Sequence, residues 1–345
     1  MIRKSFISAL VLLVSLAVNA QYAGFAVGFY NLENLFDTQH DEGKNDYEFL
    51  PDGSYGWTQQ KYESKLKNMA QALADMGTDR SPEGCAFIGV SEVENAHALS
   101  DLVNQPPLKA RNMQFCHIEG PDKRGVDCAF LYNPKYFTVE SVELFPYVYT
   151  KPEDQGRETR GFLTVKGKMA GEEICVIVCH WPSRGASAFY RNEGGRQVHE
   201  LRDKIQKENK KIKLFIMGDM NDDPSNESMM KYLGCKSEID DVEKGDMYNP
   251  WYNTLVKKGE GTLAWDGSWN LFDQIVISQN LLNQHGKKDF STLKYHSSHI
   301  FKRPYLITSE GKYKGNPKRT HAGGSWLNGY SDHLPVVMYL AKKMK

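Results

Sequence analysis

Apolar stretches along this chain repeatedly end in acid, amide or imidazole side chains, and that alternation lays out its elements. Gly24 to Tyr30 is a short apolar run that stops at Asn31-Leu-Glu33-Asn34, and it predicts a first strand with polar groups at its exit. Asp37 to Tyr55 is acidic and aperiodic and predicts a long loop. Thr58 then caps a helix in which Tyr62, Leu66, Met69, Leu73 and Met76 recur four and three apart, with Gly77 placed to end it. Ala86 to Val90 predicts a buried strand that stops at Ser91-Glu92.

Further strands are expected at Val126 to Tyr132, Gly161 to Val165, Ile174 to Cys179, Leu214 to Met217, Leu271 to Ser278 and Leu334 to Leu340. Arg191 to Lys210, with Val198, Leu201 and Ile205 in register, predicts an exposed helix between two of them. Many of these strands are apolar on both faces. Two sheets packed face to face, with helices on their outer sides, satisfy that pattern. No repeat, low-complexity block or Pro/Ser-rich linker divides the chain, so its 345 residues read as one folding unit behind a leader.

The leader is residues 1–20: Arg3 and Lys4, an apolar stretch from Phe6 to Val18, and small residues at Val18 and Ala20, as in a cleaved signal peptide. The alternative, a membrane anchor, needs roughly 20 apolar residues, more than this stretch offers. An exported protein, periplasmic or extracellular and not integral to a membrane, is expected, with its catalytic domain over 21–345. The chain balances 43 basic against 43 acidic residues. Removing Arg3 and Lys4 leaves 41 against 43, a net −2, so global charge does not point to nucleic acid. A local basic patch remains in Lys302, Arg303, Lys312, Lys314, Lys318 and Arg319, a solvated loop face being the alternative. The six cysteines lack the spacing of a zinc site, and Cys175 and Cys179, roughly 13 Å apart along one strand, cannot pair with each other. Buried thiols are expected, with a disulfide among the other cysteines as the alternative for an exported protein.

Chemistry gathers at the strand ends. Leu214-Phe-Ile-Met-Gly-Asp219-Met-Asn221 breaks from apolar to acid and amide, and Ser331-Asp332-His333 does the same in reverse before Leu334-Pro-Val-Val-Met-Tyr-Leu340. Asn31, Glu92 and Asp332 are hard oxygen ligands of the kind that hold Mg²⁺, with Mn²⁺ or Ca²⁺ as alternatives. His180 closes the strand Ile174 to Cys179 and could donate to a phosphate oxygen, as could His333. Asp273 interrupts an apolar run, and a natural partner for it is His333, whose ring it would orient. Taken singly each of these is an ordinary turn or cap residue; together they suggest a cation site that handles phosphate.

In their order these residues resemble the endonuclease/exonuclease/phosphatase superfamily, and the likeness spans the whole mature chain. Asn31 with Glu33 is similar to its first motif, and Glu92 in Ser-Glu-Val-Glu-Asn to its metal-binding glutamate. His180 in Cys-His-Trp-Pro is similar to its strand-end histidine, and Gly218-Asp219-Met-Asn221 to its Gly-Asp-x-Asn. Asp273 resembles its penultimate aspartate, and Ser331-Asp332-His333 its terminal Ser-Asp-His. The resemblance implies a four-layer α/β sandwich, two mixed β-sheets flanked by helices, that hydrolyses a phosphate ester with a divalent cation. It implies Glu92 as main metal ligand with Asn31 and Asp332 nearby, Asp219 and Asn221 on the water and the phosphate, Asp273 with His333 as base or donor, and His180 stabilising the transition state. Two positions depart from the family pattern: Leu271-Phe-Asp273-Gln lacks a neighbouring arginine, and Ser91 stands where glutamine is common.

The opening Phe29-Tyr-Asn31-Leu-Glu-Asn-Leu-Phe36-Asp resembles a secreted bacterial nuclease-like branch, so a monomeric endonuclease acting on nucleic acid is the first expectation. A phosphomonoesterase or small-molecule phosphodiesterase acting on sugar, inositol or lipid phosphates is the second, and an inactive binding protein the third. Arg157, Arg160, Arg184, Arg191 and Arg196 offer guanidinium forks for phosphate, with Arg160 and Arg184 singled out as substrate contacts. Trp181, Phe189, Tyr190, Trp251, Trp265, Trp269 and Trp326 offer faces for a base or a sugar. Specificity is expected in Tyr232 to Gly261 and in the loop Tyr295 to Tyr330.

Overall fold

A computed structural model describes residues 22–265 and 267–344; the expected signal peptide lies outside the described residues. In chain order the elements are β1 (Tyr22–Leu35), α1 (Gln59–Asp75), β2 (Cys85–Val93), α2 (Ala96–Val103), α3 (Pro106–Lys109), β3 (Gln114–His117), β4 (Asp127–Tyr132), β5 (Phe137–Phe145) and β6 (Phe162–Met169). There follow β7 (Glu172–His180), α4 (Ala188–Glu208), β8 (Lys213–Asp219), β9 (Cys235–Lys236), β10 (Met247–Tyr248), α5 (Trp251–Lys258), β11 (Leu263–Trp265) and β12 (Ser268–Asn270). The last are β13 (Asp273–Ser278), β14 (Lys294–Ile300), β15 (His321–Ala322), β16 (Ser325–Trp326) and β17 (Val336–Lys343).

Two large mixed sheets carry the fold, one ordered β14-β17-β1-β2-β4-β3 and the other β5-β6-β7-β8-β13-β10-β9. Each is centred on one parallel pair, β1 with β2 and β7 with β8, flanked by antiparallel neighbours. Each central pair is joined by a helix, α1 or α4, as a parallel connection requires.

Period-2 alternation decides what the strands face. Phe25, Val27 and Phe29 of β1 meet Val176, Val178, Phe215, Met217, Ile275 and Ile277 in the layer between the sheets. Ala26 and Tyr30 face outward onto Leu66, Met69 and Leu73 of α1. Cys175, Ile177, Leu214 and Ile216 face outward onto Val198, Leu201 and Ile205 of α4. The result is the four-layer α/β sandwich that doubly apolar strands demand.

The helix signals act as their chemistry dictates. Thr58 accepts from the Lys61 backbone N–H at 3.4 Å, and α4 begins at Ala188, earlier than expected, because Ser187 caps the Phe189 N–H. Strands β3, β5 and β14 have no counterpart in the expected set. They lie at or beside sheet edges and mix polar with apolar residues, so no continuous apolar run marks them. The expected loop Tyr295 to Tyr330 thus opens with a strand and carries the β15–β16 hairpin near its end. All six cysteines are free, and five are buried. Among the described residues no helix is long and apolar enough to cross a membrane.

Candidate active site

The alternation that builds the core also delivers the polar groups. Continuing the inward-facing positions by two residues leads from Phe29 to Asn31, from Val178 to His180 and from Met217 to Asp219; stepping back two from Ile275 leads to Asp273. Register brings them side by side: Asp219 is paired with His180 across the parallel ladder and with Asp273 across the antiparallel one.

Glu92 reaches this end by a different route. Simple alternation would assign Ser91 to the inner face, but β2 breaks register between Ser91 and Val93, and Glu92 adopts φ +59°. Bulges of this kind re-aim a side chain beside active sites. A matching break in β1 between Asn31 and Leu35 puts Glu33 and Asn34 at positive φ. The Asn34 N–H then donates to Glu92 Oε2 at 3.1 Å, tying the two bulges together.

Asp219 is the centre of the cluster. Asn31 Nδ2 donates to its Oδ2 at 3.0 Å, and the Asn221 backbone N–H to its Oδ1 at 2.9 Å. His180 Nε2 lies 3.7 Å and His333 Nε2 3.9 Å from the same carboxylate. The His333 Nδ1–H donates to Asp273 Oδ2 at 2.7 Å, which orients the ring and aims Nε2 at Asp219. Ser331 supports the ring: its hydroxyl donates to the Asn31 carbonyl at 2.7 Å and accepts the His333 N–H at 3.1 Å.

Burial pushes Asp219 up to about 6, against the opposing His333 charge and with Asp273 and Glu92 adding to the rise. Burial alone would depress His333, but Asp273, Asp219 and Asp332 outweigh it and hold the ring well above its ordinary value. His180 moves the other way: burial, then the cationic Arg160, Arg124 and His333, press it well below. The site therefore holds two imidazoles of opposite charge preference.

Asn31, Glu92 and Asp332 offer hard oxygen. Asn31 Oδ1 accepts the Glu33 N–H and Asp332 Oδ2 accepts Arg319 Nη2, whereas Glu92 Oε1 has only His180 Nε2 near it, at 3.7 Å. Among the described residues no three His, Cys, Asp or Glu side chains converge as a ready-made cage. One or two carboxylates beside a partly exposed mouth nevertheless fit a hydrated hard cation such as Mg²⁺, which keeps most of its waters.

The arginines expected as phosphate contacts are engaged with the protein itself. Arg160, 8 % exposed, donates from Nε to the His180 carbonyl, from Nη2 to the Trp181 carbonyl and from Nη1 to Asp122. It braces the strand end beneath the site and is not an open contact at the mouth. Arg184 donates to the Asn221 carbonyl, to Asn270 and to Asp223, and Asn221 Nδ2 donates to the Trp181 carbonyl at 2.9 Å. Arg157, Arg191 and Arg196 pair with Asp154, Asp222 and Glu193. Trp181 and Trp251 are core residues without solvent exposure.

Arg319 is the basic residue that does face the acids. It donates from Nε to Glu33 at 3.3 Å and from Nη2 to Asp332 at 3.0 Å while remaining 46 % exposed. Beneath it lies the buried Lys65, whose ammonium donates to Thr320 Oγ1 and the Tyr330 carbonyl. Burial, aided by Asp332, pushes Glu33 up to about 7 despite Lys65 and Arg319, and burial lowers Lys65 to about 8 against the pull of Glu33 and Asp332. Nothing in the local sequence distinguishes Arg319 from five other basic residues of its loop; only folding selects it.

Comparison with known proteins bears on the family and the fold. Residues 26–342 match the model of the endonuclease/exonuclease/phosphatase family. A protein of that family from Bacteroides thetaiotaomicron has a similar structure at 16 % identity, covering 94 % of this chain and 97 % of its own, with a TM-score of 0.54. A mannosyl-6-phosphatase from the same organism is 16 % identical over 92 % of this chain and 99 % of its own, TM-score 0.52. D. rerio TDP2 complexed with a single strand DNA product is 11 % identical over 92 % of this chain and 99 % of its own, TM-score 0.53. Sequence comparison with curated proteins yields no match.

Proposed function

The chain belongs to the endonuclease/exonuclease/phosphatase family, enzymes that hydrolyse phosphate esters, and we propose that its own site cleaves phosphodiester bonds with water held at Asp219. The observation that carries this reading is the in-register trio His180, Asp219 and Asp273 closed by His333. Asp219 accepts from the attacking water, and His333 Nε2, aimed by Asp273, donates to a phosphate oxygen. His180 supplies a second donor across Asp219, and Asn221, fixed by its bond to the Trp181 carbonyl, contacts the phosphate. Glu92, with Asn31 and Asp332, would hold Mg²⁺, or Mn²⁺ or Ca²⁺ in its place. A bound divalent cation neutralises charge on the phosphate. Arg160 and Arg184 serve this chemistry by fixing the carbonyls of His180, Trp181 and Asn221.

Nucleic acid is the substrate we place first. Two hairpins are rooted in residues of the site. β11–β12 ends at Asn270 on Arg184, and β15–β16 starts one residue after Thr320, whose N–H donates to Glu33. They carry Trp265, 64 % exposed, Trp269 with the Lys302 ammonium 5.4 Å from its ring, and Trp326 with Lys61 at 5.7 Å. Aromatic faces beside cations suit unstacked bases. A small organic phosphate is the second reading, favoured by one fact: every guanidinium singled out for backbone phosphates is paired with other groups of the protein. The protein acts, in this reading, as an exported monomer over 21–345, freed of residues 1–20. Plasmid nicking and oligonucleotide cleavage, set against phosphate release from sugar and inositol phosphates, separate the two. We expect cleaved nucleic acid; intact DNA and RNA with inorganic phosphate released would place the small ester first.

A further inference from the structure

The basic stretch from Lys302 to Arg319 divides in the fold. Arg319 turns to Glu33 and Asp332, whereas Lys302 and Arg303 lie over β17 beside Val337 and Tyr339, its outward-facing positions in the layer of α1. With Arg80, from the turn after α1, and with Asp79 and His299, they line a cavity of about 270 Å³. That is below the roughly 300–1,000 Å³ of pockets that enclose a whole small molecule, so it fits one group of a longer ligand.

Its charge is unbalanced. The acids acting on Arg303 are both engaged: Asp79 takes its Nη2 at 2.5 Å, and Asp75 accepts the Tyr305 hydroxyl at 2.8 Å. Arg80 has no carboxylate partner among the described residues. Its Nη1 donates to Ser297 Oγ at 2.9 Å and lies 3.2 Å from His296 Nδ1, while the Nε and Nη2 edge donates to no described protein group. Lys302 has neither an ion pair nor a hydrogen bond among the described residues, and its ammonium stands 5.4 Å from the Trp269 ring. The excess is felt by His299: burial, then Arg80 and Lys258, press its ring below the ordinary value, with Asp79 opposing them.

The backbone joins this cavity to the Asp219 cluster. The Phe301 N–H donates to the Pro335 carbonyl at 2.8 Å, and His299 is paired with Val337. Pro335 and Val337 lie two and four residues beyond His333. Four residues span at most about 14 Å, a distance that one nucleic-acid strand covers in about four nucleotides at its rise of roughly 3.4 Å. Trp269 links the two places, since it precedes Asn270, which holds Arg184, and carries Lys302 beside its ring.

We propose that Arg80 and Lys302, across this cavity, hold a backbone phosphate of single-stranded nucleic acid on one flank of the scissile bond, with a neighbouring base on Trp269. The inference rests on the nucleic-acid reading of the site and gives the strand a course, from the Asp219 cluster along β17. Arg80 meets the phosphate with the fork of its free Nε and Nη2 edge, and Lys302 meets it as a point charge. Phosphate contacts carry no sequence information and every base has a face for Trp269, so this flank is indifferent to sequence.

Binding of a long single-stranded oligonucleotide in EDTA, followed by fluorescence anisotropy across a salt series, tests the proposal together with Mg²⁺-dependent cleavage of that oligonucleotide, of a dinucleotide and of bis(p-nitrophenyl) phosphate. Arg80→Ala should weaken binding about tenfold and reduce the slope of log K against log salt by about 0.7, the share of one phosphate contact on a single strand. Arg80→Lys keeps the charge and should keep the slope. Adding Lys302→Ala to Arg80→Ala should about double the loss of slope. Arg80 and Lys302 are exposed, so the variants fold. Arg80→Ala should cleave the dinucleotide and bis(p-nitrophenyl) phosphate at the wild-type rate, because neither reaches the cavity. Wild-type affinity and slope in Arg80→Ala, with the oligonucleotide cleaved by the wild type, overturns the flanking site and leaves the nucleic-acid reading standing. So does an equal loss on all three substrates, which makes Arg80 a structural residue. A wild type that neither binds nor cleaves the oligonucleotide removes the nucleic-acid reading itself, and the flanking site with it.

Discussion

Glu92 and Asp219 reach the same cluster by opposite means, and the contrast explains what each can be asked to do. Asp219 follows regular alternation at the end of β8 and is held by Asn31 and Asn221. Glu92 is turned in by a bulge at positive φ, with Oε2 fixed by Asn34 and Oε1 left facing His180. We therefore expect Glu92→Gln to weaken Mg²⁺ binding while the fold persists, since one charged oxygen is lost and the Asn34 contact keeps an acceptor. Calorimetric Mg²⁺ titration checks this, and unchanged affinity would remove Glu92 from the cation. At this scale the sequence was informative wherever a residue lies in regular strand: His180, Asp219 and Asp273 could be placed by counting. It was silent on the bulge, because Ser91-Glu92 reads as continuous strand, and on Arg319, whose partners Glu33 and Asp332 lie far away along the chain. It misled at Arg160, where a guanidinium suited to phosphate is instead satisfied by two carbonyls and Asp122.

At the scale of elements, the end of the sandwich away from the Asp219 cluster is tied by one carboxylate. Glu172, first residue of β7, accepts from the Leu293 N–H at 2.7 Å and pairs with Lys213 of β8 at 3.1 Å and with Lys342 of β17 at 2.6 Å. It thus bridges the two sheets. Burial alone would push its carboxyl up, but Lys342, the Leu293 N–H and Lys213 outweigh burial and hold Glu172 below the usual carboxylate range. A carboxylate depressed in the folded state contributes stability that is present above its unfolded value, about 4.3, and is lost as pH falls through the folded one. Glu172→Gln should cost about 2 kcal/mol at neutral pH and flatten the acid limb of the unfolding profile. Identical acid limbs for variant and wild type would show that the tie is not formed. Strong central elements such as α1 and β7 were legible because their apolar period is sustained. Edge strands β5 and β14 were not, because half-solvated strands lack that period.

For the whole molecule, the two parallel pairs at the sheet centres explain why one end gathers the polar cluster. The carboxyl ends of β1, β2, β7 and β8 emerge together, and the inner layer that packs Phe29, Val178 and Met217 terminates in Asn31, His180 and Asp219. The fold and this cluster could be anticipated because both follow from the same alternation. The two tryptophan-bearing hairpins could not, since they are placed by long-range contacts to Arg184 and Glu33. The central claim is that water is activated at Asp219. Hydrolysis of bis(p-nitrophenyl) phosphate with Mg²⁺, comparing wild type with Asp219→Ala, tests it most directly. The account predicts turnover by the wild type and a fall of about 10³-fold in kcat for the variant. No turnover by the wild type, or turnover undiminished in Asp219→Ala, would contradict it.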